Sequence, residues 1–251
     1  HTCLEKLQFS IKELFFMTND NRIALITGAT RGIGKAVSLA LAKKKIHVIL
    51  IGRTIGALEE LSDDIKSFGG SSTYIQFDLR DLNRLYDISK EVKQRWGKLD
   101  ILISNAAFLH NLTPLSHLSE KDWQISLNVN LSANWLLIKY FESLLLKSKN
   151  GKAIFITSGA SEGFRPFWGA YAITKAGLDS MIRAWSSEMK ETNLAINLYD
   201  PGATKTQMRA KAYPGEDPDT LKDPIEVGED ILRICDKDFR QNGVRIKYSE
   251  F

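Results

Sequence analysis

A doubly wound α/β fold, with one parallel sheet covered by helices on both faces, is predicted by three features of the chain. Short apolar runs alternate with longer amphipathic stretches from Ile23 almost to the C-terminus. The first run feeds a glycine-rich turn, TGATRGIG, that opens directly into a helical pattern. No linker, repeat or low-complexity segment interrupts the alternation. Strand–helix repeats of this kind need crossover connections, and right-handed crossovers place helices on both faces of the sheet.

Each element follows from its local pattern. Ile23–Thr27 (IALIT) is apolar up to its last residue, as a strand buried on both faces is expected to be. A helix over 33–44 follows, then a strand at 48–51 and a helix at 57–67. The alternation continues with a strand at 73–77, a helix at 82–96 and a strand at 99–104. One long helix is expected over 120–147, then a strand at 153–157, a helix at 170–190 and a strand at 195–199. Residues 243–247 supply a short last strand, giving a mostly parallel seven-stranded sheet of Rossmann type. Pro, Gly and acidic residues cluster in YPGEDPDTLKDP, 213–224. A long loop there would lie over the carboxyl ends of the strands, where ligands of such sheets bind.

Composition bounds the function. The 251 residues suffice for one large domain, assigned to residues 17–251. Residues 1–16 precede Met17 and are poor in secretory character, so an upstream extension or cloning remnant is expected. Net charge is +4, from 34 basic and 30 acidic side chains, too mild and dispersed for a nucleic-acid binder. Cys3 and Cys235 have no metal-ligand spacing and make no disulfide framework, which favours a reducing cytoplasm. The longest apolar stretch, 135–146, is interrupted by Lys139 and Glu142, so no membrane span is expected.

The glycine turn carries the first functional signal. Gly28, Thr30, Arg31, Gly32, Ile33 and Gly34 stand between a strand and a helix, where free backbone N–H groups can hold a pyrophosphate. A nucleotide-triphosphate loop at Lys35 fails, because Ala29 replaces the required first glycine and Ala36 follows the lysine. An NAD site usually has an acid at the end of the second strand. Here that strand ends in Gly52, Arg53 and Thr54. With Arg31 in the turn, two guanidinium groups suit a 2′-phosphate, so NADP(H) is preferred and NAD(H) remains possible.

Tyr171 and Lys175 in WGAYAITK stand one helical turn apart and share a face. Ser158 ends the apolar run AIFITSG upstream. A hydroxyl, a phenol and an ammonium so placed can hand a proton to a carbonyl oxygen while hydride reaches its carbon. The spacing alone is weak: Tyr86 and Lys90 match it too, on a surface-like helix without a serine-bearing strand end.

The motifs together resemble the short-chain dehydrogenase/reductase family, in its compact branch. The resemblance spans residue 23 to about residue 247. It rests on TGATRGIG, Asp78, SNAA at 104–107, Asn130, Ser158, Tyr171, Lys175 and Pro201-Gly202 with Thr206. The tail around WGAYAITK and DPGATKTQMRAKAYPGEDP is similar to bacterial reductases without assigned substrates. The resemblance implies that Gly28, Arg31 and Ile33 line the phosphates and ribose, and that Asp78 and Leu79 flank the adenine. It implies that Asn105 holds the fourth-strand turn against the cofactor, and that Pro201, Gly202 and Thr206 approach the nicotinamide. Tyr171 would be the acid/base, its phenol lowered by Lys175 together with the positive nicotinamide of the oxidised complex; Ser158 would bind the substrate oxygen. Lys175 would also hold the nicotinamide ribose, and Asn130 a water linking Lys175 to solvent. Ala107, where glycine is usual, and Asp200, where a neutral residue is commoner, depart from the pattern.

Trp168 and Met208 are candidates for a substrate pocket, with Phe108, Leu109, Phe164, Phe167 and Tyr213 nearby. Those aromatics serve a subunit contact equally well. His110 and Arg165 are assigned to the surface ahead of the substrate. Apolar residues spread around the helices at 120–147 and 170–190, including Trp135, Leu136, Met181 and Met189, predict a homodimer or homotetramer. The favoured function is NADPH-dependent reduction of a small-molecule carbonyl. The alternatives are an NAD-dependent alcohol dehydrogenase and a dinucleotide sensor or scaffold without catalysis.

Overall fold

The computed structural model describes residues 22–163 and 165–249. The described residues form strands β1 (Ile23–Thr27), β2 (His47–Gly52), β3 (Ser72–Gln76), β4 (Ile101–Ser104), β5 (Gly151–Ile156), β6 (Leu194–Asp200) and β7 (Arg245–Lys247). Between them run helices α1 (Gly32–Lys43), α2 (Ile55–Ser67), α3 (Leu85–Trp96), α4 (Glu120–Leu127) and α5 (Ala133–Leu145). Helices α6 (Gly169–Glu188), α7 (Gln207–Ala212) and α8 (Pro224–Ile234) complete the chain order. The segment 1–16 lies outside the described residues, as does Phe164.

All strands are parallel, in the order β3-β2-β1-β4-β5-β6-β7. The winding reverses between β1 and β4, which opens a crevice at their carboxyl ends. Side chains alternate across the sheet with period two. Ile23 and Leu25 join one core with α3, α5 and α6 through Ile88, Phe141 and Leu178. Ala24 and Ile26 join the other with α1, α2 and α8 through Leu41, Leu61 and Ile231.

Two stretches differ from expectation. The helix expected over 120–147 is three pieces: α4, a π-helical turn at Asn128–Ser132, and α5. A π turn adds one residue to the helical turn without breaking the apolar pattern, so periodicity gives no sign of it. Asn130 sits in that turn, fully buried. The stretch 213–224 is irregular except for a 3₁₀ turn at Pro218–Thr220, but it is flanked by two helices absent from the expected element order, α7 and α8. Helix α8 begins at Pro224, with Asp223 accepting from Ile225 N at 2.8 Å and Glu226 accepting from Asp223 N at 2.9 Å. That reciprocal cap makes a sharp start possible directly after an irregular stretch.

Phe141 is fully buried where α5 meets the sheet. Phe141→Ala is expected to cost about 3–5 kcal/mol by removing contacts and leaving a cavity. Chemical denaturation checks this.

Candidate active site

The crevice is closed at its base by one amide. Asn105, just past β4, donates from Nδ2 to the carbonyls of Thr27 at 3.0 Å and Gly28 at 3.1 Å. Thr27 Oγ1 accepts in return from the N–H groups of Asn105 at 3.0 Å and Ala106 at 3.1 Å. These bonds lock the turn after β4 to the turn after β1. Gly28 has φ +64, and a Cβ on Gly34 would lie 2.1 Å from Gly28 O, so α1 can begin this close only without a side chain there.

The residues fit a dinucleotide. Arg31 is the N-cap of α1 but makes no side-chain cap, and the first turn holds no acid. The leading N–H groups therefore have no acceptor of their own side chains and suit an anionic phosphate. Thr30 reaches the end of β2, its Cγ2 lying 2.8 Å from where a Cβ on Gly52 would stand. A Cβ on Gly32 would meet Thr206 at 3.2 Å, which places the late turn against the phosphate loop. Ile33, half-buried, packs beneath the loop with the α1 core. Arg31 and Arg53 are both exposed at the carboxyl ends of neighbouring strands, β1 and β2. Arg31 Nη1 donates to Gln207 Oε1 of α7 at 2.6 Å.

Asp78 is half-buried after β3 and is held by Arg80, whose Nε donates to Oδ2 at 2.8 Å. Burial alone would push this carboxyl up; the Arg80 hydrogen bonds and charge, helped by Arg53, instead hold it below the usual carboxylate range. Leu79 beside it is buried in the core under α3. Pro201 and Gly202 follow β6, and Gly202 N donates to Asp200 Oδ1 at 3.1 Å.

The catalytic candidates meet at the carboxyl end of β5. Ser158 starts a 3₁₀ turn, its Oγ accepting from Ala160 N at 3.2 Å. Tyr171 and Lys175 project from one face of α6 and are only 6% and 3% exposed. Lys175 Nζ donates to Ile156 O at 2.6 Å and lies 5.8 Å from the centre of the Tyr171 ring. Burial pushes Lys175 down to about 8, against the charges of Asp179 and Asp200. Burial pushes Tyr171 up to about 12, opposed by its hydrogen bond with Ser158 and reinforced by Asp200. In this structure desolvation of the phenolate outweighs the hydrogen bond that favours it. The rival pair stays at the surface: Lys90 rests over the Tyr86 ring at 4.0 Å and pairs with Asp87 at 3.7 Å.

Asn130 is held in place by protein groups from two neighbouring segments. Its Oδ1 accepts from Phe108 N at 2.8 Å, and its Nδ2 donates to Phe108 O at 2.9 Å and Thr174 Oγ1 at 3.1 Å. Its carbonyl accepts from Asn134 Nδ2 at 2.8 Å. It clasps the strand-four segment to α6 next to Lys175.

Trp168 and Met208 do gather at the site. They join Leu109, Ala160, Tyr171 and Tyr213 in an apolar cluster apart from the two main cores. Trp168 packs edge-on to Tyr171 at 5.7 Å and tilts against Tyr213 at 5.9 Å. Arg165 is exposed and lies 5.7 Å from the Trp168 ring, as its surface assignment anticipates. Phe167 is 54% exposed and has a backbone φ of 72. Two assignments are corrected. Phe108 packs against the core under α5, because Asn130 holds its backbone inward. His110 is only 1% exposed, because Lys211 Nζ ties this segment beneath α7 by donating to Leu109 O at 3.0 Å.

Four functional neighbours escaped the sequence. Thr27, Thr174 and Asp179 all sit beside recognised residues; Asp179 stands one turn after Lys175, which was its available signal. Arg245 of β7 had none, since its partners are remote in the chain.

Residues 22–217 match the short chain dehydrogenase family. The uncharacterized oxidoreductase YciK of Escherichia coli K12 is 31% identical over 227 residues, covering 88% of this chain and 89% of that protein. A short chain dehydrogenase structure from Shigella flexneri 2a, complexed with NADP, has a TM-score of 0.87 at 30% identity, over 90% of this chain and 96% of that one. One from E. coli CFT073, complexed with NADPH, has a TM-score of 0.87 at 30% identity, over 93% of this chain and all of that one, 100%. The chain belongs to the short chain dehydrogenase family. It is accordingly an oxidoreductase working between alcohols and carbonyls with a nicotinamide dinucleotide.

Gly34→Ala is expected to weaken dinucleotide binding at least tenfold, since its methyl must displace Gly28 O from 2.1 Å. Fluorescence titration of NADPH checks this.

Proposed function

We propose that this protein reduces a small-molecule ketone or aldehyde with NADPH, Tyr171 giving the proton and Ser158 holding the substrate oxygen. The observation that carries the reading is the meeting of Ser158, Tyr171 and buried Lys175 at the end of β5, on the same sheet edge as the glycine turn. Preference for NADPH over NADH is supported by exposed Arg31 and Arg53, by the missing acid at the end of β2, and by the NADP and NADPH complexes of the two relatives above. The phosphate loop and the N-terminus of α1 would hold the pyrophosphate, and Pro201, Gly202 and Thr206 the nicotinamide end.

NADPH supplies the hydride when bound. The protein supplies everything else. Ser158 donates a hydrogen bond to the carbonyl oxygen and fixes its position. Tyr171, buried and protonated, gives its proton to that oxygen as negative charge develops there. Lys175 places a positive charge near the resulting phenolate and is itself anchored at Ile156 O. The apolar cluster around Trp168 and Met208 excludes water and favours a substrate with an apolar flank. Trp135 and Ile173, exposed on α5 and α6, support pairing of two or four copies through those helices.

Tyr171→Phe should abolish NADPH oxidation on a panel of aldehydes, ketones and diketones while leaving NADPH affinity unchanged. Undiminished turnover would overturn the assignment. Charge reversal at the β2 end, Arg53→Asp, should lower the NADPH-to-NADH affinity ratio at least tenfold by titration. The pH profile follows from Lys175. Its ammonium is present below about 8 and lost above it, while Tyr171 keeps its proton up to about 12. Reduction should therefore be level near neutrality and fall as pH rises through 8, measured as kcat/KM against pH.

A further inference from the structure

Behind the catalytic set lies a buried charge cluster that the reaction itself does not use. Arg245 of β7 has a side chain only 7% exposed. Its Nη1 donates to Asp179 Oδ2 at 2.7 Å and to Ser161 Oγ at 2.7 Å. Its Nη2 donates to Asp200 Oδ2 at 2.8 Å and to the Ser158 carbonyl at 3.0 Å. Ser161 Oγ donates to Asp179 Oδ2 at 2.6 Å, and Thr157 donates to the other oxygen of the same carboxylate. Asp200 Oδ1 accepts from Gly202 N at 3.1 Å. One planar fork therefore reaches the Ser158 turn after β5, α6 and the end of β6.

We propose that Arg245 is a positioning residue for the proton-transfer site, fixing the Ser158 backbone and balancing the charges of Asp179 and Asp200, so that neither carboxylate draws Lys175 away from its place beside Tyr171. The proposal rests on the catalytic reading above. Asp200 departs from the family pattern, and a carboxylate there is tolerable because β7 brings a matching cation. The geometry is specific to arginine: two N–H pairs engage two carboxylates and a carbonyl at once, which a single ammonium cannot span. A buried carboxylate stripped of its partner would be strongly disfavoured.

The charge balance has a measurable sign. The groups around Lys175 are Tyr171 and Asp179 on its own helix, Asp200 on β6, Arg245 on β7 and Glu162 at the rim, 3.2 Å from Arg245. Lys222 reaches the same corner by donating to Pro201 O at 2.6 Å, and Lys247 lies 4.0 Å from Glu162. Removing the arginine leaves Asp179 and Asp200 unopposed and must hold the Lys175 proton more tightly. Removing the Asp200 charge must do the reverse.

The test is NMR titration of the full-length protein with isotope-labelled lysine, Lys175 being assigned from Lys175→Arg and folding checked by circular dichroism. Arg245→Met should raise the Lys175 midpoint by about one pH unit, and Asp200→Asn should lower it by a similar amount. Arg245→Lys, whose ammonium can engage only one of the two carboxylates, should raise it by a smaller amount. A folded Arg245→Met protein with an unmoved midpoint would overturn the proposal, as would an Asp200→Asn protein whose midpoint does not fall. Should Arg245→Met fail to fold, Asp200→Asn and Arg245→Lys decide alone by the same criteria. The titration is read without turnover. Activity retained by Tyr171→Phe would therefore defeat the catalytic reading and leave this result standing.

Discussion

The burial of Lys175 is the constraint on which the rest of the site depends. An ammonium removed from water costs several kcal/mol unless its hydrogens and charge are met. The Ile156 carbonyl meets one hydrogen at 2.6 Å, and the charges of Asp179 and Asp200 oppose the loss of the proton. Those carboxylates are buried in turn and bind the β7 arginine. A chain of compensations thus runs from one helix to the edge of the sheet. Tyr171 inherits its environment from it: the same dry surroundings that lower the lysine raise the phenol and keep its proton available.

The other side of the site is set by backbone rather than charge. The π turn at Asn128–Ser132 lets one helix present Asn130 inward, where its amide satisfies both backbone groups of Phe108. Irregular turns inside helices commonly mark functional positions, because the extra residue redirects a side chain that regular geometry would send elsewhere. Here it joins the segment after β4 to Thr174, the neighbour of Lys175. Together with the Asn105 bonds to Thr27 and Gly28, this fixes both walls of the crevice.

What was legible in the sequence was what depends on local pattern. A strand with a continuous apolar run such as IALI at its start, Ile23–Thr27, is readable because parallel strands bury both faces. The glycine turn is readable because backbone conformation and close approach admit few other residues. Helix α8 was readable as well, since Asp223, Pro224 and Glu226 form a start signal, but the proline-rich stretch before it masked the cue. The π turn was not, because Val129, Leu131 and Ala133 continue an apolar pattern that a regular helix would also show. Nor were the phenol's raised pKa, the inward turn of His110 or the partnership of Asp200 with Arg245. Each arises from residues far apart in the chain that meet only after the sheet has formed.

The cluster of Trp168, Met208 and Tyr213 has one further consequence. It is built from the approach to α6, the short helix α7 and the segment after β4, none of which contributes a rung to the sheet. On the proposed mechanism Tyr171 belongs both to this cluster and to the proton-transfer set, whereas Ser158 and Lys175 are tied to the end of β5. Insertions or exchanges in the late segment would then reshape the surroundings of the Tyr171 ring while the ties of Ser158 and Lys175 to the sheet stayed intact, a partial division between recognition and reaction.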